Sequence, residues 1–199
     1  MRGKEALQNV KGESKIPIKK KLEFNYQAAK DVGLFTKFSQ KQVDSIESIM
    51  AKCNLYGLTR EQAAYTLATA YHEAYNPKVA NSRITPIEEF GGESYLKSKP
   101  YYPYYGRGFV QLTWERNYDK QGKRLNLDLV GCPELALTTH IAADILVHGM
   151  LHGEFTGKKL TDYVNSEKKD YHNARRIING MDRADLIASY AVRMEICIK

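Results

Sequence analysis

The sequence lacks the cysteine and apolar patterns of several protein classes. It has three cysteines, Cys53, Cys132 and Cys197, at wide and irregular spacing and without any C-x-x-C pair. An odd number without such pairs argues against a disulfide framework and a zinc ribbon, so we expect three free thiols. No window holds the ~18 apolar residues of a membrane span. Met1–Lys21 has no apolar stretch typical of a secretory signal.

Several catalytic signatures are missing as well. No G-x-S-x-G elbow indicates a serine hydrolase, and no G-x-x-x-x-G-K-[ST] or G-x-G-x-x-G loop indicates a phosphate site. His72-Glu73 begins like a zinc-binding helix, but Asn76 stands where the second histidine is needed. His148 and His152 have the required spacing, yet no third ligand stands nearby. We therefore expect neither a metal nor another cofactor.

What the chain does have is the composition of one globular domain with an excess of positive charge. Its 199 residues are 43% hydrophobic and 27% charged, with a formal net charge of +7. That charge favours encounters with anionic polymers such as nucleic acid, anionic membranes and acidic cell walls. Residues 1–23 form a weakly patterned basic arm, either a solvated tail or, through Lys19–Lys21, a binder of phosphates or lipid headgroups. We assign the folded domain to residues 24–199.

Apolar periodicity predicts helices over most of this domain. Ser39 with Gln42, and Thr59 with Gln62, have the spacing of capping boxes, which indicates one helix over about 40–56 and another directly after it. Further helices are predicted over three later segments: about 138–151, about 171–178, and from a cap at Asp182 to the C-terminus.

The middle of the chain interrupts this helical pattern. Prolines and glycines break up residues 76–103. Alternation over 104–114 predicts a strand that carries Gln111 and Thr113 on one face. The predicted fold class is therefore mainly α, a single helical domain with a small loop-and-strand insertion that forms a cleft.

Glu73 is a candidate for acid catalysis. It lies at the end of an alanine-rich helix, where a solvated glutamate would normally have charged neighbours. Cleavage of a glycosidic bond needs a protonated acid beside the leaving oxygen and usually a second carboxylate opposite it. An ordinary glutamate in a polar last turn fits the residues equally well. The second carboxylate should lie in the irregular segment that follows, where the candidates are Glu88, Glu89 and Glu93.

Tyrosine is concentrated in the same region, with six tyrosines between residues 95 and 118. Their rings can stack on sugars while their hydroxyls form hydrogen bonds, although packing in the core is the commoner use. Gly106 and Gly108 flank Arg107, which suggests either close approach of the backbone to a ligand or a tight bend.

Three motifs, in order, resemble those of family-19 glycoside hydrolases. The run YYGRGFVQLTWERNY over Tyr104–Tyr118 is similar to the family's Y-Y-G-R-G-x-x-Q-L-[ST] segment ending in N-Y. His72-Glu73 resembles its H-E motif, and Ile177–Gly180 resembles its I-I-N-G motif. The likeness is strongest to single-domain endolysins of phages that infect Gram-negative bacteria. These also carry a T-x-x-Pro-Ile-x-Glu-type segment and the S-K-x-Y-Y-P-Y run found here from Ser98.

The resemblance implies a role for each matched residue. Glu73 would be the general acid, and Glu89 would be the general base that activates water, with inversion at the anomeric carbon. Thr113 would hold that water. The sugar would be bound by five further residues: Tyr105, Arg107, Gln111, Asn117 and Asn179.

The fold that the resemblance implies is the lysozyme-like α+β type. We expect an endolysin that hydrolyses the β-1,4 bonds of peptidoglycan. It would accumulate in the host bacterial cytoplasm and reach the wall through a membrane lesion made by a holin-type protein. We expect a monomer that binds glycan strands and no nucleic acid, with at most weak contact between its basic arm and anionic membrane or lipopolysaccharide.

Two alternatives remain, a chitinase and a catalytically inactive wall-binding module. The sequence departs from plant chitinases at Trp114-Glu115-Arg116 and around the second carboxylate. The second departure keeps Glu88 and Glu93 open as alternatives to Glu89.

Overall fold

The computed structural model describes residues 20–199, so most of the basic arm lies outside the described residues. The prediction of a mainly helical fold is confirmed. The α-helices in this range are α1 (Tyr26–Asp31), α2 (Gln40–Leu55), α3 (Arg60–Glu73), α4 (Glu93–Lys97), α5 (Glu115–Leu125), α6 (Thr139–His152), α7 (Leu160–Tyr163) and α8 (Ala184–Ile196). Two 3₁₀ helices, Pro133–Leu137 and Asn173–Ile177, accompany them. No helix of residues 20–199 has the length and apolarity to cross a bilayer.

Helices α2 and α3 begin where the sequence predicts. Ser39 and Gln42 satisfy each other's backbone amides at the start of α2, and Thr59 and Gln62 do so at the start of α3. Gly57 lies between the two helices at φ +68°, a left-handed conformation that glycine adopts without a steric cost. The chain can therefore reverse direction within a few residues.

Helix α3 lies at the centre of the core. All its residues from Gln62 to Tyr71 are buried, and it packs mainly against α8 while α2 packs against α6. Thr66 and Thr69, which share a face with Glu73, donate their hydroxyls to carbonyls one turn back. Because the Thr66 and Thr69 hydroxyls are satisfied within α3, these two side chains can be buried without a partner from another helix.

The strand predicted over 104–114 is wrong. Only β2 (Arg107–Gly108) is extended, and it pairs antiparallel with β1 (Ile87–Glu88). The chain then turns so that Arg107 and Leu112 exchange both backbone hydrogen bonds. Gln111 and Trp114 have φ values of +53° and +74°, which a strand does not allow. Alternating apolar residues here reflect a tight loop with one buried side.

Other boundaries also differ from the sequence prediction. The helix predicted over 171–178 is the 3₁₀ helix Asn173–Ile177, and α8 is preceded by Arg183, without any side-chain cap from Asp182. No helix is predicted over α5, whose buried residues are few: Tyr118, Gln121 and Gly122. The three cysteines are free, as expected.

A buried ionic cluster joins α2, α5 and α6. The Asp144 carboxylate lies 2.6 Å from both Lys52 Nζ and Arg124 Nη1, and it also accepts a hydrogen bond from the Tyr56 hydroxyl. Burial opposes ionisation of Asp144, but the hydrogen bonds from Lys52 and Arg124 outweigh it and hold the pKa of that carboxyl below its usual range. The cluster therefore links three helices by charge.

Asp144→Asn should lower the free energy of unfolding by about 2–4 kcal/mol, because Lys52 and Arg124 lose their shared counter-charge. Asp119→Asn is the matched control, since Asp119 forms an exposed pair with Lys123 one turn along α5. The control should cost no more than about 0.5 kcal/mol. Urea denaturation followed by circular dichroism measures both. Equal losses for the two variants would contradict a special role for the buried cluster.

Glu154 makes the stability of the fold depend on pH. Burial opposes its ionisation, but hydrogen bonds with Gln121, Lys120 and His148 lower the pKa of Glu154 to about 2. Since this folded-state pKa lies below the unfolded value, about 4.3, the carboxylate stabilises the fold above that pH and loses this effect as pH falls towards 2. Glu154→Gln should therefore show a shallower fall in unfolding free energy over that pH range than the wild type. Parallel curves for the two proteins would contradict this.

Candidate active site

Glu73 is the last residue of α3 and faces the 3₁₀ helix Asn173–Ile177. Arg175 Nη1 donates to Glu73 Oε1 in a short ion pair, with the Arg175 side chain 4% exposed and that of Glu73 22% exposed. Among residues 20–199, no hydrogen bond reaches Glu73 Oε2. One oxygen is therefore fixed by the protein, and the other is available to a ligand.

Arg175 was missed by sequence reasoning. Its Nε donates to the Asp182 carbonyl at 3.0 Å, so the guanidinium ties the end of α3 to the segment before α8. The only sign in the sequence is that Arg175 belongs to a pair of arginines, Arg175-Arg176, which precedes the Ile177–Gly180 motif. Asn179 of that motif is exposed, and its Oδ1 accepts the Gly180 amide at 2.8 Å.

Glu89 is held by two uncharged donors. The Tyr101 hydroxyl donates to Oε1 at 2.7 Å, and the Gly106 amide donates to Oε2 at 3.1 Å. The hydrogen bond with Glu89, together with desolvation, raises the pKa of Tyr101 to about 12. The Tyr101 hydroxyl therefore keeps its proton near neutral pH and can donate to the carboxylate.

The two alternative carboxylates are held less firmly. Glu88 is exposed and lies 3.5 Å from the Tyr105 hydroxyl, at the limit of a hydrogen bond. Glu93 forms an exposed surface pair with Lys97 one turn along α4. Of the three candidates, Glu89 has the geometry of a positioned group, and its role as the base stays a prediction.

Arg107 is buried beneath the tyrosine-rich loop. It is 5% exposed. Its Nη1 donates to the carbonyls of Pro103 and Tyr105 and to the Tyr118 hydroxyl, and its guanidinium lies 3.7 Å from the centre of the Tyr105 ring. The Arg107 side chain therefore supports the tyrosine-rich loop from inside, and its direct contact with sugar stays a prediction.

The glycines beside Arg107 serve packing. A Cβ added at Gly106 would lie 2.7 Å from Gln111 Oε1, and Gly108 has φ +89° close to the Ala136 carbonyl. Of the two interpretations from the sequence, the tight bend is the one that the structure supports.

Gln111, Thr113 and Asn117 lie together on the wall of one cavity of about 280 Å³. Each donates to the backbone: Gln111 Nε2 to the Ile87 carbonyl at 3.0 Å, Thr113 Oγ1 to the Gln111 carbonyl at 2.8 Å, and Asn117 Nδ2 to the Thr113 carbonyl at 2.7 Å. No hydrogen bond within residues 20–199 reaches Asn117 Oδ1. The three side chains are thus grouped as the motif resemblance implies, although their contact with sugar stays a prediction.

Two connections place Glu89 beside this cavity. The Gln111 side chain donates to the carbonyl of Ile87, which lies in β1 two residues before Glu89. Tyr101, whose hydroxyl holds Glu89, has its ring edge-on to the Trp114 ring, with the ring centres 5.3 Å apart. Glu73 and Asn179 belong to the part of the site organised by Arg175. Within residues 20–199, no hydrogen bond directly joins Glu73 to Glu89 or Thr113 to Glu89.

Residues 20–199 contain no group of three or more histidine, cysteine, aspartate or glutamate side chains placed to hold a metal. The His148 and His152 rings lie 4.1 Å apart, and His148 contacts Glu154. His72, beside Glu73, is half-buried. Burial lowers the pKa of His72, the charge of Glu73 opposes this, and the charge of Arg175 adds to it.

Comparisons with known proteins find chitinases. The chain is 37% identical over 87 residues to the basic endochitinase CHB4 of Brassica napus, covering 39% of this chain and 30% of that protein. It is 51% identical over 41 residues to chitinase 8 of Oryza sativa subsp. japonica, covering 21% and 16%. It is also 43% identical over 54 residues to the inactive chitinase-like protein 1 of Hevea brasiliensis, covering 24% and 17%. The chain thus spans less than a third of the length of these relatives.

A solved structure extends the likeness to the fold. Chitinase C from Streptomyces griseus HUT6037 matches with a TM-score of 0.51 at 19% identity, over 75% of this chain and 79% of that one. No family model matches the chain. The resemblance to chitinase-like glycoside hydrolases is confirmed, whereas the stronger likeness to phage endolysins stays a prediction.

Proposed function

We propose that this relative of the chitinases is a glycoside hydrolase that cleaves β-1,4 bonds between amino sugars, with bacterial peptidoglycan as its substrate. The observation that carries the proposal is the pair of motif carboxylates, each fixed by a separate part of the chain. Arg175 holds Glu73, while Tyr101 and Gly106 hold Glu89. Two positioned carboxyl groups are what hydrolysis of a glycosidic bond requires.

In the proposed reaction the two carboxyl groups act on opposite sides of the sugar. Glu89 accepts one hydrogen bond at each oxygen and keeps lone pairs for a water molecule. That water attacks the anomeric carbon and passes a proton to Glu89, while Glu73 gives its proton to the departing sugar oxygen as the old bond breaks. Thr113, whose hydroxyl already donates to the Gln111 carbonyl, would accept a hydrogen bond from the same water. The configuration at the carbon is inverted.

The acid role of Glu73 rests on the resemblance of His72-Glu73 to the H-E motif. Arg175 acts on it as a positioning residue, because it binds Oε1 and fixes the direction of the carboxyl group. The proton would be delivered from Oε2, which is the oxygen without a protein partner among residues 20–199.

Charge favours peptidoglycan over chitin as the substrate. The chain carries a formal charge of +7. Peptidoglycan has carboxylates in its peptide stems, whereas chitin is uncharged, so the positive field would increase encounters with the former. The relatives named as chitinases support chitin as the substrate equally well. One relative named as inactive leaves the wall-binding module as an alternative. An endolysin stored in the bacterial cytoplasm and released by a holin-type protein remains the biological setting that we propose.

Glu73→Gln should reduce the release of reducing ends from purified sacculi by ~10²–10⁴-fold, because it removes the proton donor. Glu89→Gln should cause a loss of the same order. Glu88→Gln is the matched control, since Glu88 is the exposed neighbour, and it should keep most of the activity. Mass spectrometry of the products identifies the bond that is cut.

Each rival function gives a different result in that experiment. Release of chito-oligosaccharides without any muropeptides would replace peptidoglycan by chitin. Binding to sacculi without new reducing ends, in wild type and Glu73→Gln alike, would establish the inactive module. Full activity in Glu73→Gln would reject Glu73 as the acid.

Tyr101→Phe should lower kcat by about tenfold and leave KM nearly unchanged, because Glu89 loses a donor that orients it. Tyr102→Phe is the control, since Tyr102 is exposed and its hydroxyl makes no hydrogen bond within residues 20–199. Steady-state hydrolysis of soluble glycan fragments gives both constants. An equal decrease in the two variants would show that Tyr101 has no specific role.

A further inference from the structure

Trp114 is held in an exposed position beside the motif residues. It is the single tryptophan of the chain, its side chain is 44% exposed, and its backbone has φ +74°. Its amide donates to the Tyr104 carbonyl at 2.9 Å, and its ring meets the Tyr101 ring at 5.3 Å. A strained backbone conformation that keeps a large aromatic ring at the surface is typical of a functional position.

Arg116 brings an unpaired positive charge to the same place. Its side chain is exposed and has no ion pair or hydrogen bond among residues 20–199. The cavity of about 280 Å³ is also lined by Lys120 and Glu154, which pair with each other at 3.0 Å. Because that pair is neutral as a whole, the charge that remains in the lining is the one on Arg116.

Trp114 and Arg116 line both this cavity and a neighbouring open depression of about 550 Å³. The cavity also contains Gln111, Thr113 and Asn117, whereas the depression is lined by Glu115 and Asp119. Asp119 is paired with Lys123, but Glu115 has no partner within residues 20–199 and would repel an anion. An anionic group is therefore favoured on the cavity side, next to the motif residues.

We propose that Trp114 and Arg116 form a subsite for an amino sugar that bears a carboxylate. The indole would stack on the face of the sugar, and the guanidinium would bind the carboxylate through two parallel hydrogen bonds. The carboxylate is either that of the lactyl ether on the sugar or one in the attached peptide stem. This inference rests on the proposed function and deepens it, because the subsite selects an acidic glycan over a neutral one.

Fluorescence of the wild-type protein tests the subsite without any need for catalysis, since all tryptophan emission comes from Trp114. The probes are N-acetylmuramic acid, which has a free lactyl carboxylate, muramyl dipeptide, whose carboxylate is in the peptide, and neutral N-acetylglucosamine. At least one acidic probe should bind about tenfold more tightly than the neutral probe, as expected for a charge-assisted contact. The acidic probe that shows this preference identifies the source of the carboxylate.

Arg116→Gln should remove this preference, whereas Lys41→Gln should keep it. Lys41 is an exposed residue of α2 without an ion pair in residues 20–199, so its loss changes the net charge equally. Circular dichroism checks that both variants fold. Equal binding of all three probes by the wild type, or an unchanged preference in Arg116→Gln, would overturn the inference. A preference for acidic probes without hydrolysis of sacculi would instead reject the proposed function and leave the subsite in place.

Discussion

A buried guanidinium whose donors need partners inside the protein is the interaction on which this structure most depends. Arg175 is almost completely removed from water, and unpaired donors in that position would be destabilising. The Glu73 carboxyl group accepts one of its hydrogen bonds at the end of α3, and the Asp182 carbonyl accepts another just before α8. Since α3 packs mainly against α8, the same ion pair serves the core and the candidate acid.

The insertion between α3 and α5 is organised by a second buried arginine with a different set of partners. The Arg107 guanidinium binds backbone carbonyls and the Tyr118 hydroxyl, and it lies against the Tyr105 ring. This arrangement fixes the tyrosine-rich loop, whose Tyr101 hydroxyl and Gly106 amide hold Glu89. Each candidate carboxylate is thus positioned by tertiary contacts.

Backbone strain between Arg107 and Trp114 goes with a particular arrangement of the side chains there. Gln111 and Trp114 have positive φ values, which cost on the order of 1–3 kcal/mol each for residues other than glycine. The exchange of hydrogen bonds between Arg107 and Leu112 helps to hold the loop in this form. As a result Gln111, Thr113 and Asn117 line one cavity while the Trp114 ring stays exposed beside them, an arrangement that a regular strand would not produce.

Short-range patterns determined the mainly helical fold class and the starts of α2 and α3, and the motif resemblance predicted Glu73 and Glu89 as the two carboxylates. These patterns did not predict α5, because its buried residues, Tyr118, Gln121 and Gly122, are too few to form an apolar stripe. Only the tertiary structure decided what the two carboxylates touch: Arg175 is 102 residues from Glu73 along the chain, and Tyr101 is 12 residues from Glu89. The physical reason is that the partner of a buried polar group is set by which distant segments pack together, and local sequence patterns do not predict that packing.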